Sequence, residues 1–270
     1  MKIIVANLKM NLNVPASAAY FVELGEALNS IGSPHQLLAL HDQYSTSLRP
    51  GVGAGQADPI EIVVCPTFLA LQTLNMLNDP KIFSLGAQNC SGSEDGAYTG
   101  EVSASMLAGI AEYVIVGHSE RRRLLHETDH EINQKVLAAL RHGLKPILCV
   151  GEDRNEDADD VLRRQLDGGL SAVQTNQLDQ VLIAYEPVYA IGSGRTAIAG
   201  DISRAVNTIK SQVEYMFGAG TRILYGGSVD DTNASQMASI NGIDGLLVGG
   251  ASLNVLKFAK IVNEMRKAGG

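Results

Sequence analysis

Short apolar runs, rich in β-branched residues, recur along the whole chain and show little polar alternation. A run of this kind is typical of a strand that is buried on both faces, as the strands of parallel sheets are. The pattern therefore predicts eight buried strands, at Ile3–Ala6, Ile60–Cys65, Ile82–Ala87, Tyr113–Gly117, Pro146–Val150, Val181–Tyr185, Arg222–Tyr225 and Gly245–Val248.

Segments with helical periodicity separate these runs, and the clearest of them is 128–142. Thr128 and Glu131 have the spacing of a capping box. Apolar residues then recur at every fourth position from Ile132, on one face of a helix, and Gly143 follows where a helix C-terminus favours glycine. Further helices are predicted at about 15–31, 67–78, 102–110, 156–175, 199–217, 231–239 and 252–267.

The alternation of eight strands with helices predicts an α/β fold, a closed (β/α)8 barrel of eight parallel strands with outer helices. The length of 270 residues fits one such barrel, so we expect a single domain over 1–270. An open doubly wound sheet is the alternative. That fold more often carries a glycine-rich turn after its first strand, whereas Asn7–Asn11 contains no glycine.

One segment, at about 33–58, interrupts this alternation between the first helix and the second strand. It ends in a stretch rich in glycine, from Arg49 to Asp58, which is typical of a loop. Because it precedes a strand, we expect an atypical insertion at the N-terminal face of the barrel, away from the chemistry. A surface excursion is favoured over a functional module, and part of it also fits a short helix.

The charge and the cysteine content narrow the function classes. A net charge of −8 and an isoelectric point near 5.2 argue against a broad nucleic-acid surface, although a local site can still be positive. No apolar run approaches the ~18–20 residues needed to cross a membrane, and the N-terminus enters a strand without a signal peptide. Three cysteines without a Cys-x-x-Cys spacing indicate free thiols, so we expect a cytoplasmic protein.

In a barrel of this kind, chemically active residues lie at the C-terminal ends of the strands. The first strand leads into Asn7 and Lys9, the fourth into His118 and Glu120, and the sixth into Glu186. A lysine can stabilise an anion, a histidine can move a proton, and a carboxylate can act as a base. Taken singly, each also fits a structural or solvated role, and Glu120 also fits a surface ion pair with the arginines that follow it.

Two glycine-rich turns follow the seventh and eighth strands, at Tyr225–Ser228 and Val248–Ser252. Such turns present backbone N–H groups to phosphate in many barrels, although tight turns alone also use glycine. After Glu186, the segment Pro187–Gly194 ends in two glycines and has the composition of a mobile lid. No P-loop is present. Together, the strand ends fit proton abstraction beside a carbonyl in a small phosphorylated sugar.

These motifs resemble those of the triosephosphate isomerase family over nearly the whole chain, apart from the segment 33–58. The matching stretches are Asn7–Asn11, Gly86–Asn89, Gly96–Glu101, Gly117–Arg122, Cys149–Glu152, Ala184–Gly194, Tyr225–Val229 and Val248–Ala251. The resemblance implies a TIM barrel that interconverts dihydroxyacetone phosphate and D-glyceraldehyde 3-phosphate in glycolysis and gluconeogenesis, without a cofactor or a metal.

The resemblance also implies catalytic roles. Glu186 would move the carbon-bound proton, while a neutral His118 would polarise the carbonyl and move oxygen-bound protons. Lys9 would stabilise the enediolate, Asn7 would orient the substrate, and Glu120 would support Lys9 and His118. This pairing of a glutamate base with a neutral histidine and a closing loop is the known pattern of the family.

The remaining implied groups bind phosphate, cover the site or join subunits. Backbone N–H groups of Gly192, Ser228, Gly249 and Gly250 would hold the phosphate. The lid would comprise Pro187, Val188, Tyr189, Ala190, Ile191, Gly192, Ser193 and Gly194. The loop Gly96–Glu101 resembles one that reaches into a partner subunit, which implies a homodimer; no nucleic acid or membrane partner is implied.

Three departures from the family pattern stand out. Leu8 and Tyr189 occupy positions where the family usually has tryptophan, and the chain contains no tryptophan. The segment 33–58 is the third. An active isomerase is the main hypothesis; a non-catalytic phosphate-binding barrel that interacts through the insertion, and an enzyme of another phosphate-binding barrel family, are the alternatives.

Overall fold

The computed structural model describes residues 2–30, 60–191 and 197–268. Eight parallel strands run through these residues, each within two residues of its predicted start. The strands are β1 (Lys2–Asn7), β2 (Ile60–Cys65), β3 (Ser84–Ala87), β4 (Tyr113–Val116), β5 (Lys145–Val150), β6 (Leu182–Tyr185), β7 (Arg222–Tyr225) and β8 (Gly245–Val248).

The strands close into a barrel in their order along the chain. β1 pairs with β2 from Lys2 opposite Ile60, and it also pairs with β8, with Ile3 opposite Gly245. Gly245 is required at this closure, because a Cβ atom there would overlap the backbone carbonyl of Ile3. The predicted (β/α)8 barrel is therefore confirmed, and the open sheet is excluded.

Both faces of the strands are buried. Ile3 and Val5 belong to an apolar cluster made only of strand residues, which fills the barrel interior. Ile4 and Ala6 alternate with them and pack in a second cluster that includes the helices. Because successive strand residues point to opposite faces, both sets must be apolar. This double burial explains the missing polar alternation in the sequence.

Helices surround the barrel. Within the described residues they are α1 (Val14–Ser30), α2 (Phe68–Leu77), α3 (Ala104–Leu107), α4 (Ser119–Leu124), α5 (Asp129–Arg141), α6 (Ala158–Gly169), α7 (Ala199–Phe217), α8 (Ala234–Ala238) and α9 (Val255–Ala268). The capping box that the sequence predicts before α5 is present, with Thr128 and Glu131 bonded to each other in both directions.

Three predicted helices are shorter than expected, and one helix was not predicted. The segment 102–110 is helical only in α3, 156–175 only in α6 and 231–239 only in α8. The short helix α4 has four charged residues among its six, so it has no apolar stripe to predict it from. His118 is its N-cap residue, and the ring of His118 accepts the N–H of Glu120. Arg122 donates to the carbonyls of Gly117 and Cys149, so these contacts rather than an apolar stripe fix its conformation.

The predicted insertion at about 33–58 lies outside the described residues. Along the chain it falls between the end of α1 and the start of β2. Cys65, Cys90 and Cys149 are buried and free, as the sequence predicts. No helix in the described parts of the chain is long and apolar enough to span a bilayer.

Candidate active site

The ends of β1, β4 and β6 bring four of the predicted side chains into one row of close contacts. The ammonium Nζ of Lys9 lies 2.5 Å from Oε1 of Glu120. Oε2 of Glu120 lies 3.6 Å from Nδ1 of His118, and Nε2 of His118 lies 3.1 Å from Oε1 of Glu186. Residues that are separated along the chain thus meet at the C-terminal face, where the strand-end rule places them.

Glu186 is a buried carboxylate that is held on three sides. His118 contacts one oxygen, and the backbone N–H of Ser119 donates to the other at 2.9 Å. The side chain passes close to Gly226, where a Cβ atom would lie 3.0 Å from Cγ of Glu186, and the backbone lies against Gly151. Burial raises the pKa of the Glu186 carboxyl, but His118 and the Ser119 N–H outweigh it, so the pKa is lowered.

The hydrogen bonds of His118 assign its tautomer. Its Nδ1 accepts the N–H of Glu120 at 3.2 Å, so Nε2 carries the proton and donates to Glu186. Burial lowers the pKa of the imidazole, whereas the charge and hydrogen bond of Glu186 raise it and prevail. The upward shift of the pKa of His118 therefore depends on Glu186 staying in contact.

Lys9 has a strained backbone that two side chains hold in place. Its φ of 52° lies in the left-handed region, which costs free energy for any residue with a Cβ atom. Oδ1 of Asn7 accepts the Lys9 N–H at 3.1 Å, and Nε2 of Gln88 donates to the Lys9 carbonyl at 2.9 Å. The side chain then passes over Gly249, where a Cβ atom would lie 3.1 Å from Cε of Lys9.

Three of the predicted phosphate-binding positions, Ser228, Gly249 and Gly250, follow strand ends at the same face as Lys9, and Gly249 lies directly beneath its side chain. Gly249 precedes a 3-10 helix over Gly250–Leu253, and the first N–H groups of a helical turn lack partners within that turn. Ser228 follows β7, and its carbonyl accepts the side-chain amide of Asn233 at 3.1 Å, which fixes the turn. Gly192, the fourth predicted donor, lies outside the described residues.

Comparison with known proteins supports the motif resemblance. A model of the triosephosphate isomerase family matches residues 35–265. The chain is 46% identical to the triosephosphate isomerase of Moorella thermoacetica over 227 residues, which cover 81% of this chain and 90% of the relative. It is 47% identical to that of Symbiobacterium thermophilum over 212 residues, covering 75% and 82%, and 44% identical to that of Alkaliphilus oremlandii over 213 residues, covering 76% and 86%.

The chain belongs to the triosephosphate isomerase family.

The segment that is predicted as the lid of this triosephosphate isomerase family member is described from Pro187 to Ile191. Val188–Ala190 form one turn of 3-10 helix, closed by a bond from the Ala190 N–H to the Pro187 carbonyl at 2.8 Å. The predicted lid residues Gly192, Ser193 and Gly194 lie outside the described residues.

The loop that the family resemblance assigns to the subunit interface is exposed. Tyr98, at its tip, has 55% of its surface accessible, and Met10, beside Lys9, has 94%. Gly96 and Gly100 have φ values of 112° and 93°, which favour glycine and shape the tip of the loop.

Three groups that support this isomerase-family site have no role in the sequence analysis. Gln88 directly follows β3, so its position at the C-terminal end of a strand is the sequence signal that could have located it. Arg122 donates to the carbonyls of Gly117 at 2.8 Å and Cys149 at 3.2 Å, which ties the ends of β4 and β5 together. The Ser119 N–H is a backbone donor, for which a residue type gives no signal.

Among the described residues, no group of three or more histidine, cysteine, aspartate or glutamate side chains is arranged to hold a metal ion.

Proposed function

We propose that this chain is a working isomerase that interconverts dihydroxyacetone phosphate and D-glyceraldehyde 3-phosphate through an enediolate. The observation that carries the proposal is the row Lys9–Glu120–His118–Glu186 at one face of the barrel. It combines a cation, a neutral acid and a base, which are the groups that proton transfer beside a carbonyl needs.

Glu186 is proposed as the base that moves the carbon-bound proton. In this structure its oxygens are occupied by His118 and the Ser119 N–H. To reach a substrate carbon, the carboxylate must turn away from both donors. Since those donors lower its pKa, losing them while staying buried raises its basicity. The turn therefore converts a stabilised carboxylate into a stronger base.

The same turn frees His118. Its Nε2–H then points at the space that Glu186 leaves, where it can donate to a substrate oxygen. Without the contact to Glu186, burial lowers the pKa of the ring and favours the neutral form. A neutral imidazole can give a proton to one oxygen and take one from its neighbour, as an enediolate intermediate requires.

Lys9 is proposed to stabilise the negative charge that develops on the enediolate. Asn7 holds the Lys9 N–H through its side-chain oxygen, so the same side chain that orients substrate also orients the lysine. Glu120 contacts both Lys9 and His118, and it fixes their separation.

The phosphate of the substrate is assigned to the backbone N–H groups near Ser228, Gly249 and Gly250, with Gly192 joining when the lid closes. Closure excludes water, which strengthens each charge interaction at the site. It also protects an enediolate that can otherwise lose its phosphate.

The test follows the transferred hydrogen. Purified protein is incubated with dihydroxyacetone phosphate in D2O, and the product is trapped by a coupled dehydrogenase. We expect turnover with deuterium at the carbon next to the carbonyl, because the proton on Glu186 exchanges with solvent. Binding of the triose phosphate without isomerisation would favour the non-catalytic alternative, which no observation supports at present.

The oligomeric state, the domain organisation and the location in the cell are also proposals. The exposed Met10 and the Gly96–Glu101 loop suggest a homodimer, because a second copy would cover both. Sedimentation at several protein concentrations tests this, and a monomer at all of them contradicts it. A single domain over the chain and a cytoplasmic location complete the proposal.

A further inference from the structure

The loop that follows β3 is closed at its base and seated on a helix. The backbone N–H of Ser91 donates to the carbonyl of Val102 at 2.7 Å, so the two arms of this 91–102 loop meet there. Gly92 lies against α5, because a Cβ atom added to it would come within 2.8 Å of Cβ of Gln134. The first arm of the loop is therefore in close contact with the helix.

Glu94 ties the same arm to the end of α5. Its Oε1 accepts Nε of Arg141 at 2.9 Å and lies 2.8 Å from Nη2 of the same guanidinium, while its Oε2 contacts Nε2 of His142. Arg141 is the last residue of α5 and His142 is its C-cap residue, where a helix favours positive charge. We call these three side chains the Glu94 clamp.

The geometry of the clamp is stronger than that of an ordinary surface ion pair. Both oxygens of Glu94 are engaged, and both partners stand on the end of a helix that is packed on the barrel. The hydrogen bonds from His142 and Arg141 lower the pKa of the Glu94 carboxyl, so the carboxylate is ionised at neutral pH. The backbone carbonyl of Glu94 also accepts the hydroxyl of Ser105 at 3.3 Å, which ties the first arm to the segment after the second.

The tip of the loop, residues 95–101, is exposed. In the described structure its hydrogen bonds are internal: the N–H of Tyr98 donates to the carbonyl of Gly96 at 2.9 Å, and the N–H of Glu101 donates to the carbonyl of Tyr98 at 3.0 Å. The position of the tip is therefore set by the base of the loop, and Glu94 is the last residue of the first arm that is tied to α5.

We propose that Glu94 is a positioning residue for assembly, which with Arg141 and His142 holds the 91–102 loop in the shape that a second copy of this chain accepts. A loop that is already ordered loses less conformational freedom when it binds, so the clamp strengthens association without touching the partner. This inference rests on the proposed function, in which two copies associate through this loop.

The first experiment measures the Kd of the dimer by sedimentation. One exposed ion pair changes an equilibrium by a factor of about two to five, and a symmetric dimer contains the clamp twice. We therefore expect Glu94→Gln to raise Kd about 5- to 25-fold. Since the clamp is partly exposed, the ratio of the two Kd values should fall towards one in about 1 M salt.

Asp95→Gln is the matched control. Asp95 is the next residue of the same loop and is exposed, so this change removes the same charge without touching the clamp. Its Kd should stay within about twofold of the wild-type value. Protein that is kept well above Kd should also retain its kcat in Glu94→Gln, because the clamp does not include any residue of the row from Lys9 to Glu186.

A double-mutant cycle tests whether the clamp acts as a unit. Arg141→Gln should also raise Kd. The double variant of Glu94→Gln and Arg141→Gln should be only slightly weaker than the weaker single variant, because each change removes the same contact.

The second experiment needs neither turnover nor assembly. Hydrogen exchange of the 91–102 segment is followed by mass spectrometry on protein diluted below Kd. Exchange should be about two- to fivefold faster in Glu94→Gln than in the wild type, whereas Asp95→Gln should exchange at the wild-type rate.

Four results would overturn the inference: equal Kd values for the wild type and Glu94→Gln, an equal weakening by Asp95→Gln, single effects that multiply in the double variant, or exchange of the loop that is unchanged in Glu94→Gln. A wild-type dimer that does not isomerise triose phosphate would refute the proposed reaction and leave the clamp standing. A monomer at every concentration would refute the proposed homodimer and this inference with it. Circular dichroism checks that each variant is folded, and Arg141→Gln decides the question if Glu94→Gln does not fold.

Discussion

Each of the two faces of the barrel carries a ring of polar side chains. The two rings differ in how many of their polar atoms have a hydrogen-bond or ion-pair partner. At the N-terminal face, Glu61 accepts the hydroxyls of Tyr113 at 2.6 Å and Ser84 at 3.2 Å. Lys145 pairs with Glu112 at 2.6 Å, and Ser84 also reaches Glu112 at 3.1 Å. Nζ of Lys145 lies 5.1 Å from the centroid of the Tyr113 ring, so within the described residues these side chains form a closed set of contacts.

The C-terminal face contains a strained backbone and polar atoms that lack a partner. Lys9 keeps a left-handed backbone, and the buried hydroxyl of Tyr225 and Oε2 of Glu152 have no hydrogen-bond partner in the described structure. Glu186 is bonded to His118 and the Ser119 N–H, the two donors that the proposed mechanism requires it to leave. The difference teaches that polar residues alone do not mark a site. Unused bonding capacity and backbone strain that occur together are a better marker, since strain also occurs alone, as at Ala172.

The largest effect should come from the base. Glu186→Gln keeps the shape of the side chain but cannot accept a proton, so we expect kcat to fall about 10³-fold or more in a coupled assay. Glu61→Gln, the matched change at the N-terminal face, should keep kcat within about twofold and lower only stability. Comparable losses of kcat in both variants would contradict the assignment of catalysis to the C-terminal face and of stability to the N-terminal face.

Gly226→Ala should have the next largest effect. A Cβ atom would lie 3.0 Å from Cγ of Glu186, so the carboxylate must shift, and small shifts of catalytic groups cost on the order of 10²-fold. Gly200→Ala is the control, because it stands at the same face with no atom within 4 Å of the new Cβ. Equal kcat values in the two variants would show that the Glu186 side chain accommodates the added methyl group without loss of activity.

The pKa of His118 should separate the free protein from its complex. Glu186 raises the pKa of His118 in the free protein, and this effect is lost when the carboxylate turns to substrate. The pKa of His118, measured by NMR of its ring nitrogens, should therefore be higher in the free protein than in a complex with a substrate analogue. Equal pKa values of His118 in the two states would argue against the turn of Glu186.

A smaller effect is expected at the N-terminal face. Tyr113→Phe removes one donor to Glu61 and should lower the free energy of unfolding by about 1–2 kcal/mol, while kcat stays unchanged. Denaturant unfolding and the coupled assay measure the two quantities on one preparation. A change in kcat with unchanged stability would assign this ring to function.

The smallest effect tests strain that serves no site. Ala172 is exposed and has a φ of 62°, like Lys9, but it follows α6 at the N-terminal face. Ala172→Gly should stabilise the protein by about 0.5–1 kcal/mol, since glycine adopts this conformation freely. Ala19→Gly, in the middle of α1, should destabilise it by about 1 kcal/mol. Stabilisation at both positions would show that backbone strain is not the cause.

The sequence predicts the barrel because its signal is repeated. Each apolar run is buried on both faces, and eight of them leave few alternative folds. Lys9, His118 and Glu186 are predicted for the same reason, since each follows one of these strands. The Thr128 capping box is a local signal that the structure confirms.

Other features depend on contacts between distant segments, which one sequence does not display. The helix α4 forms because His118 caps it and Arg122 ties its first turn to β4 and β5. The missing partner of Glu152 becomes visible only once Tyr185 is seen to occupy the other oxygen. The Leu8 and Tyr189 replacements are plain in the sequence, but Leu8 proves to be a fully buried core residue.

The pairing of β1 with β8 has a consequence for the synthesis of the protein on the ribosome. Lys2 donates to the carbonyl of Ile243 across 241 positions of sequence, and the side chain of Lys9 lies over Gly249. Ribosomes add about 5–20 residues per second. Lys2 and Lys9 are therefore synthesised on the order of ten seconds or more before β8, the strand that completes their surroundings. A nascent chain therefore has no finished site until β8 emerges, and catalysis cannot begin before that strand has been synthesised.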